Sequence, residues 1–534
     1  MEFLDKVNRK RKKRRKEEDV LLREKSDRRL MPDVPALTGE RKLTDRRGNL
    51  TQEGMSFEQI SKKRKLGIRY LNDYEVDVIA YGEGKKKKFR AKTQDVSLGG
   101  LGLIVPAAQK DSILEAKKLK LKFHVEPGSL PEGYEMNVKT YAVPVREAKL
   151  SGGDWLIGCE FAVDLSEYAK HRKDRYMLTM SALMLFFISA FILLMRSESI
   201  VYFKYNKWLY LYSIITAFFL MSRYLFGALY HPKKVDPDFT PGVTIIIPCF
   251  NEEKWIQRTI QSCINQNYPA DKLEVIVVDD RSTDDSVEKI KEIIGRLTQS
   301  EDERYNIKER ISYMVQPENA GKREALAAGV KVAKHEYVVF VDSDSFLDPF
   351  AIRNLVQPFK DPKMAGVTGR TDVANTYTNS LTKIQSVRYY IAFRIMKAAE
   401  SYFHCVTCLS GPLSCYKKEL VEKYLDQWLN QTFLGQKATF GDDRSLTNLM
   451  LRHHRTYYQD TAVCSTIVPN DNKVFLKQQM RWKRSWLRES FTAGTFIWRK
   501  EPFAAVFFYV GLCVPILAPV VVIYNLIYVP MTTF

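Results

Sequence analysis

Short runs of alternating apolar and polar residues dominate the chain between about residues 60 and 168. Examples are Glu75–Tyr81, Leu119–Val125 and Trp155–Val163, separated by Gly, Pro and Asp residues. A period of two with punctuating turns is typical of β-strands that bury one face. This pattern predicts a small β-barrel, which we place at residues 59–168.

From residue 240 to about 490, strand-like apolar runs alternate with amphipathic helical segments. The runs Val243–Ile247, Leu273–Val278 and Tyr337–Val341 each lead into polar residues. Such alternation is typical of a mostly parallel sheet covered by helices. It predicts an α/β domain with interface helices over residues 240–490. Ligands of open α/β sheets bind beyond the carboxyl ends of the strands, so chemistry is expected there.

Three apolar stretches are long enough to cross a bilayer as helices: Met177–Met195, Trp208–Tyr230 and Phe503–Val529. They predict a transmembrane hairpin over 176–230 and a C-terminal span over 503–529. Basic residues flank the outer ends of the hairpin, and by the positive-inside rule both ends are cytoplasmic. The chain stops soon after the last span, which indicates either a truncated chain or a very short final segment.

The charge balance points to anionic partners. Lys+Arg 83 against Asp+Glu 63 gives a formal net charge of +20, and basic residues crowd the first 58 positions. We interpret residues 1–58 as a largely disordered basic arm that touches anionic lipid headgroups, with a merely solvated tail as the alternative. No base-reading module supports nucleic-acid binding. The apolar spans exclude a simple cytosolic enzyme.

The eight cysteines are too few and too irregular for a disulfide framework, and we interpret them as reduced thiols in a cytoplasmic body. Cys405 and Cys408 have the spacing of a zinc-binding pair. No second ligand pair follows at a suitable distance, so core packing is the better interpretation.

Acidic residues follow three predicted strands, in the segments Pro248–Glu252, Asp279–Asp284 and Asp342–Asp344. Two carboxylates at positions i and i+2 of a turn can hold a divalent cation while nucleotide phosphates complete its shell. An isolated Asp-x-Asp is more often a turn or a helix cap. The two other acidic strand ends favour the functional interpretation.

Four further motifs make the set specific: Gly321–Glu324, Ser410–Leu413, Gly441–Arg444 and Gln478–Glu489. Over about 240–530 the chain resembles the processive, membrane-integrated family 2 glycosyltransferases, the class of cellulose, chitin and hyaluronan synthases. The similarity is greatest to hyaluronan synthases and the related chitin-oligosaccharide synthases. It implies a glycosyltransferase A (GT-A-like) fold, a UDP-sugar donor, a growing polysaccharide chain as acceptor, and Mg²⁺ or Mn²⁺.

The resemblance also implies roles for the matching residues. They are uracil binding for Phe250, Glu252 and Asp280, diphosphate neutralisation for Lys322, metal binding for Asp344 with Asp342 beside it, closure over the diphosphate for Gln478 and Arg481, and an acceptor platform for Trp482. Asp443 is the candidate general base, which takes the proton of the attacking hydroxyl. A single displacement inverts the anomeric centre, so an α-linked donor yields a β-linked polymer.

Purely structural alternatives exist for three of these positions. Asp442–Arg444 also fits a helix N-cap with a local ion pair, Trp482 an interfacial aromatic belt, and Lys322 a solvated helix charge. Their joint occurrence in the family's order favours the functional roles.

A second ligand site is indicated in the predicted barrel. Asp95, Ser97 and Gly100, with Gly158–Phe161 later in the chain, resemble the PilZ domain, a six-stranded barrel that binds cyclic di-GMP. The family's Arg-x-x-x-Arg is altered here, because the segment from Arg64 to Arg69 gives Lys-x-x-x-Arg or Arg-x-x-x-x-Arg. Lysine cannot reproduce guanidinium stacking, so a barrel that only packs against the synthase remains the alternative.

Together these features predict a multidomain membrane enzyme of the bacterial inner membrane, with its catalytic and PilZ-like domains in the cytoplasm. It would polymerise UDP-sugars into an exported polysaccharide, with cyclic di-GMP as allosteric activator and membrane lipids as partners. A homo-oligomer is compatible with so few spans. The alternatives are a catalytically silent cyclic di-GMP receptor and a non-processive glycolipid-forming transferase. No residue decides which sugars are used.

Overall fold

The computed structural model describes residues 69–528, apart from 72–73, 83–85, 117, 128–134, 150–152, 166–172, 200–206, 300–306 and 439, together with residue 531. The predicted basic arm at 1–58 and Arg64 lie outside the described residues.

The first domain is an antiparallel barrel. Its elements are β1 (Arg69–Leu71), β2 (Glu75–Tyr81), β3 (Lys86–Ser97), β4 (Gly100–Val105), α1 (Ala107–Leu114), β5 (Lys118–Val125), β6 (Met136–Lys149) and β7 (Trp155–Phe161). The strand order is β1-β3-β2-β5-β6-β7-β4, and β4 pairs back onto β3. Strands β2 to β7 therefore close into the predicted six-stranded barrel, and β1 adds to the outer edge of β3.

Alternation of buried and exposed side chains explains the closure of this barrel. In β2, Val76, Val78 and Ala80 are buried while Glu75 and Asp77 face solvent. Successive side chains of a strand point to opposite faces, so a period of two gives every strand one apolar face for a shared interior.

Two long helices follow the barrel, α2 (Lys173–Ser199) and α3 (Lys207–Leu229). The hydroxyl of Tyr224 on α3 donates to the carbonyl oxygen of Ala182 on α2 at 2.8 Å. The helices therefore pack against each other as the predicted hairpin.

The α/β domain is built on an eight-stranded sheet. Its strands are β8 (Val243–Cys249), β9 (Leu273–Asp279), β10 (Ile311–Val315), β11 (Tyr337–Phe340), β12 (Ser345–Leu347), β13 (Met364–Val373), β14 (Ser414–Lys417) and β17 (Arg455–Thr466). The order is β10-β9-β8-β11-β14-β13-β17-β12, and a separate hairpin joins β15 (Thr432–Phe433) to β16 (Gln436–Lys437). Strands β8 to β11 are parallel, and β14 is antiparallel to both its neighbours.

Helices cover both faces of this sheet. They are α4 (Ile256–Ile264), α5 (Ser286–Gln299), α6 (Ile307–Arg310), α7 (Lys322–Val332), α8 (Ala351–Leu355), α9 (Ser380–Ile391), a π-helix (Ala392–Lys397), α10 (Ala398–Tyr402), α11 (Lys418–Leu429), α12 (Asp442–Leu451) and α13 (Asn472–Gly494). Short 3₁₀ turns occupy Ala270–Lys272, Gln357–Lys360 and Ile497–Arg499. All seven residues of β8 and of β9 are buried, as expected for parallel strands covered on both faces.

The last helix, α14 (Pro502–Ile523), continues as a π-helix (Tyr524–Tyr528). The hydroxyl of Tyr212 on α3 donates to the carbonyl oxygen of Val514 on α14 at 3.0 Å. Within the described residues, three segments are long and apolar enough to cross a membrane: Met177–Arg196, Lys207–Leu229 and Pro502–Tyr528. The predicted class of barrel, membrane helices and α/β domain is thereby confirmed.

The barrel contacts the α/β domain through the two chain segments that flank the β5–β6 connection. Arg258 on α4 donates to the carbonyl oxygen of Pro127 at 2.9 Å and forms an ion pair with Glu126. The backbone N–H of Glu135 donates to the carbonyl oxygen of Ala374 at 2.8 Å, and its carboxylate accepts from Thr378 Oγ1 at 3.0 Å. One end of the barrel is therefore seated on two elements of the α/β domain.

Candidate active site

A cavity of about 370 Å³ opens where the carboxyl ends of β8, β9 and β11 meet. Its lining residues are Pro248, Cys249, Phe250, Glu252, Asp280, Asn319, Gly321, Lys322, Asp342, Ser343, Asp344 and Arg481. Seven of them are residues to which the sequence assigns a substrate or metal role. The parallel register of the three strands brings these positions together at one sheet edge.

The loops after β8 and β9 brace each other. Asn251 has a left-handed backbone (φ 56°), its N–H donates to Ser282 Oγ at 2.9 Å, and its side-chain oxygen accepts from the N–H of Thr283 at 2.8 Å. Asn tolerates this conformation better than most residues. The bracing presents Phe250 with 45% of its side chain exposed, as an aromatic face beside the cavity.

Asp280 shapes the loop before α7. One carboxylate oxygen accepts from the N–H of Ala320 at 2.9 Å and the other from the N–H of Gly321 at 2.8 Å. Gly321 has φ 104°, a conformation that favours glycine. Burial raises the pKa of Asp280 even though both backbone N–H groups lower it. The carboxylate thus sets the start of α7, which places Lys322 in the cavity.

Lys322 forms an ion pair with Asp342 across the cavity. Desolvation lowers the pKa of the Lys322 ammonium, but the charges of Asp342, and then of Asp442 and Asp443, outweigh it, so that the pKa is raised. A Cβ atom on Gly411 would lie 3.1 Å from Lys322 Nζ and from both Asp342 carboxylate oxygens. A residue without a side chain at position 411 therefore leaves room for this pair.

Glu252, Asp342 and Asp344 crowd negative charge into the same cavity. Burial, then the charges of Asp344 and Asp342, raise the pKa of Glu252 to about 8. Burial and then Asp342 raise the pKa of Asp344 to about 6, although Ser345 and Thr466 donate to its Oδ1 at 3.3 and 3.2 Å. Such mutual repulsion is what a bound cation would relieve.

The donor set fits Mg²⁺ or Mn²⁺. Both are hard cations that prefer oxygen ligands, and Mg²⁺ is commonly held by one or two carboxylates while substrate phosphates and water complete its shell. Asp344 and Asp342 would supply that minimal protein share. Among the described residues, no cluster of three or more His, Cys, Asp or Glu side chains forms a self-contained metal cage.

The two carboxylates of the Asp442–Arg444 motif occupy different environments at the start of α12. Asp442 Oδ1 accepts from Arg323 Nε at 3.0 Å, so its ion pair is with a residue 119 positions away and is not local to the motif. Asp443 accepts from the N–H of Arg444 at 2.8 Å and from the thiol of Cys408 at 3.3 Å. Asp443 does not line the 370 Å³ cavity, although its charge, like that of Asp342, raises the pKa of Lys322.

The structure separates the three predicted residues of α13. Arg481 lines the cavity, whereas Gln478 and Trp482 do not. The Gln478 side-chain oxygen is buried without a hydrogen-bond partner among the described residues. The half-buried Trp482 ring carries the guanidinium of Arg388 at 5.7 Å from its centre.

In the barrel, the predicted ligand residues gather at the β3–β4 turn. Ser97 Oγ donates to the carbonyl oxygen of Gly100 at 3.0 Å and accepts the Gly100 N–H at 3.1 Å. Asp95 is buried nearby, and a Cβ atom on Gly100 would clash with the Cys159 carbonyl oxygen at 2.3 Å. Arg69, at the start of β1, is in register with Ser97. Strand β1 therefore brings one of the two candidate arginines to this turn.

Sequence reasoning missed several residues of the cavity and its surroundings. Asn319 and Ser343 line the cavity. Ser343 lies within the segment Asp342–Asp344 and Asn319 lies two positions before the motif Gly321–Glu324, which was an available signal. Gly411 lies in the recognised Ser410–Leu413 segment, yet its role in leaving space becomes visible only in three dimensions. Cys408 is buried in the core, as expected, but its contact with Asp443 had no local signal.

Known families match both parts of the chain. Residues 241–485 match the model described as glycosyltransferase like family 2, and residues 61–178 match the PilZ domain. A hyaluronan synthase of Streptococcus pyogenes serotype M3 (strain ATCC BAA-595 / MGAS315) is 35% identical over 283 residues, which is 52% of this chain and 65% of that protein. An N-acetylglucosaminyltransferase of Rhizobium meliloti (strain 1021) is 34% identical over 288 residues, 54% of this chain and 65% of that protein.

The matched part thus spans somewhat less than two thirds of these relatives. Among solved structures, the mannosyltransferase PcManGT from Pyrobaculum calidifontis, in complex with GDP-Man and Mn²⁺, has a TM-score of 0.41 and 23% identity, over 56% of this chain and 79% of its own. On the family matches, the chain contains a family 2 glycosyltransferase domain preceded by a PilZ domain.

Proposed function

We propose that the protein is a processive, inverting β-glycosyltransferase that polymerises UDP-sugars, N-acetylglucosamine among them, into an exported polysaccharide. The observation that carries the proposal is the 370 Å³ cavity, where an aromatic face, two cationic side chains and four carboxylates converge at the strand ends. The names of the relatives support the choice of reaction and sugar class.

Each group of the cavity has a place in this reaction. Phe250 stacks on the uracil, with Glu252 and Asp280 at its edge, while Lys322 and Arg481 offset the charge of the diphosphate. Asp344 and Asp342 would hold Mg²⁺ or Mn²⁺, which when bound neutralises charge that develops on the leaving diphosphate. Gln478 would close over the diphosphate from α13, and Trp482 would support the acceptor sugar.

In the transfer step the acceptor hydroxyl oxygen attacks the anomeric carbon of the donor. The bond from that carbon to the diphosphate oxygen breaks, and UDP leaves with the electron pair. Asp443 takes the hydroxyl proton as the new glycosidic bond forms. Because one displacement occurs, the configuration at the anomeric carbon inverts.

The connection between the site and the membrane helices supports export. Helix α13, which carries Arg481, ends at Gly494, and α14 begins at Pro502 after a short 3₁₀ turn. We place the protein in a bacterial inner membrane, with the catalytic and PilZ domains in the cytoplasm, as the basic flanks of the hairpin indicate. Membrane lipids surround the three spans, and association of protomers would enlarge a small pore.

Regulation by cyclic di-GMP is supported by the PilZ match and by the seating of the barrel. The contacts of Arg258, Ala374 and Thr378 with the barrel lie next to elements of the cavity. Arg258 is on α4, directly after the loop of Glu252. Asn379, next to Thr378, donates to the carbonyl oxygen of Asn470 at 2.8 Å, just before α13 begins. Ligand binding to the barrel could thus bias the position of Arg481.

The test is incorporation of radiolabelled UDP-sugars, singly and in pairs, by the purified protein in nanodiscs with Mg²⁺ or Mn²⁺. We expect polymer formation that cyclic di-GMP increases. Short lipid-linked products instead of polymer would indicate a non-processive glycolipid transferase. No incorporation from any donor, with or without cyclic di-GMP, would indicate a catalytically silent receptor and refute the proposal.

A further inference from the structure

The outer surface of the barrel carries a group of lysines that the proposed reaction does not use. Residues paired directly across two antiparallel strands lie on the same face of a sheet. Because Asp77 faces solvent, its partner Lys122 on β5 faces solvent too, and so does the partner of Lys122 on β6, Lys139. By the same register five lysines share this surface, which we call the lysine face: Lys88, Lys118, Lys120, Lys122 and Lys139.

The barrel itself does not neutralise the charge of the lysine face. The carboxylates of Asp77 and Glu75 on β2 pair with Arg90, at 3.4 and 3.9 Å. Within the described residues, the lysines of this face on β3 and β5 form no ion pair. Lys122 and Lys139 stand directly opposite each other, and like charges in that position destabilise a sheet. The arrangement therefore costs the isolated barrel stability, and an anionic partner would offset that cost.

Two half-buried tyrosines are interleaved with these lysines. Lys118 Nζ lies 5.3 Å from the ring centres of both Tyr81 and Tyr141, and Lys120 Nζ lies 5.9 Å from that of Tyr141. Tyrosine is enriched at the level of lipid headgroups, because its ring is apolar and its hydroxyl is polar. Lysine extends its ammonium group into the same layer from an apolar stem. The combination suits the surface of an anionic bilayer.

The lysine face lies close to the point where the chain leaves the barrel for the membrane. After β7, the N–H of Ala162 donates to the carbonyl oxygen of Tyr141 at 2.8 Å. Helix α2 begins eleven residues later, at Lys173, and its apolar span begins at Met177. Eleven extended residues reach at most roughly 40 Å, so the face is tethered near the first membrane helix. The contacts with the α/β domain lie beyond the other end of β5 and β6 and leave the face accessible.

We propose that the lysine face binds the anionic headgroups of the membrane, so that the barrel rests on the bilayer as well as on the α/β domain. An anionic bilayer offers many phosphates side by side, which matches lysines spread over the width of four adjacent strands. Each lysine near such a surface strengthens binding about fivefold, and the tether to α2 keeps the concentration of lipid at the face high. The inference goes beyond the transferase reaction and does not depend on it.

The test measures by mass spectrometry how fast single lysines of the full-length protein are acetylated by N-hydroxysuccinimidyl acetate. The protein is compared in nanodiscs of phosphatidylcholine and in nanodiscs that also contain phosphatidylglycerol. We expect Lys120 and Lys122 to react about fivefold more slowly in the anionic discs, and the difference to vanish in high salt, which screens charge. Lys291, exposed on α5, is the internal reference and should react equally in both. Equal rates for the lysine face in both discs would overturn the proposal.

Charge reversal within the lysine face tests the assignment. Lys120→Glu combined with Lys122→Glu should remove the protection of the remaining Lys139 by phosphatidylglycerol, whereas Lys120→Arg combined with Lys122→Arg should keep it. Lys291→Glu combined with Lys423→Glu is the matched control, because both residues are exposed on helices of the α/β domain. Protection of Lys139 that survives the reversal would refute the assignment to this face.

Two further measurements separate the other outcomes. Lys110 reports on folding of the barrel, because it pairs with Glu147 at 3.0 Å and lies 3.4 Å from the Trp155 ring centre, so it should be labelled slowly in every variant. Where a variant does not fold, the comparison of the two lipid mixtures in the wild type still decides the matter. Single-stranded DNA is added to the phosphatidylcholine discs as a second anionic probe. Protection by DNA without protection by phosphatidylglycerol would mean that the face binds a nucleic acid, against the proposal.

Discussion

The carboxylates of Asp344 and Asp443 have different surroundings. Substitutions at the two positions should therefore affect substrate binding and the rate of transfer differently. Asp344 shares a charged cavity with Asp342 and Glu252, whereas Asp443 accepts hydrogen bonds from Cys408 and from its own helix. Asp344→Asn should abolish turnover and weaken UDP-sugar binding, because a cation ligand is lost. Asp443→Asn should keep UDP affinity but slow transfer by about 10²–10⁴-fold, the usual contribution of a positioned base. Initial rates and calorimetric UDP titrations check both.

The neighbouring Asp442 provides the control for Asp443. Its carboxylate pairs with the buried guanidinium of Arg323 at 3.0 Å, so its role is structural. Asp442→Asn leaves that guanidinium without a counter-charge, and losing one partner of a buried ion pair costs about 3–5 kcal/mol. The melting temperature should therefore fall in Asp442→Asn and stay unchanged in Asp443→Asn. Near-normal polymerisation by Asp443→Asn would rule out this base.

Whether a single functional residue could be predicted from the sequence depends on its place in the fold. Residues directly after parallel strands, such as Phe250, Asp280 and Asp342, could be located because the sheet itself brings strand ends together. Gln478 and Trp482 share a motif with Arg481, yet neither lines the cavity. Trp482 is one position from Arg481 and therefore lies on another side of the helix, whereas Gln478 is three positions away, on the same face one turn earlier. The contact of Cys408 with Asp443 depends on packing between distant segments, which no local pattern encodes.

At the scale of elements, periodicity was a sufficient guide to the barrel, the spans and the βαβ units. It could not foresee β14, because four residues that pair antiparallel between β11 and β13 carry no period of their own. The π-helix at Ala392–Lys397 could not be predicted either, because the spacing of its backbone hydrogen bonds differs from that of an α-helix by only one residue.

The contacts of the barrel with α4 and with the segment before α9 lead to a prediction at the scale of elements. If these contacts restrain the active site, Arg258→Ala and Thr378→Ala should raise basal synthesis about 1.4- to fivefold and reduce activation by cyclic di-GMP. The magnitude follows from the ~0.2–1 kcal/mol usual for exposed pairs. Polymer synthesis measured across a cyclic di-GMP titration is the assay.

A matched control is available on strands β2 and β3 of the same barrel. Arg90 pairs with Asp77 at 3.4 Å and with Glu75 at 3.9 Å, all on the exposed barrel surface. Arg90→Ala removes a comparable exposed ion pair without touching the α/β domain, so its basal rate should match that of the wild type. If all three variants behave alike, the seating contacts do not restrain the enzyme.

At the scale of the whole molecule, the question is whether the barrel transmits ligand binding to the catalytic domain. A ligand can shift an equilibrium between two states only by its difference in affinity for them. Asp95 is buried at the β3–β4 turn and Arg69 is in register with Ser97, so both stand where cyclic di-GMP would be bound. Arg64 precedes the described residues and would complete the clamp on the phosphates.

Calorimetric titration of cyclic di-GMP into wild type, Arg69→Ala and Asp95→Ala tests this directly. Each substitution removes a hydrogen-bonding group with charge, so affinity should fall about ten- to a hundredfold in both. Arg90→Ala serves as the charge-matched control and should bind like the wild type. Because Arg69 belongs to the strand that adds to β3, Arg69→Ala should also alter basal synthesis, whereas Asp95→Ala should leave it nearly unchanged. Undiminished binding in both variants would mean that the ligand uses another site or that the barrel acts only as a structural support for the transferase.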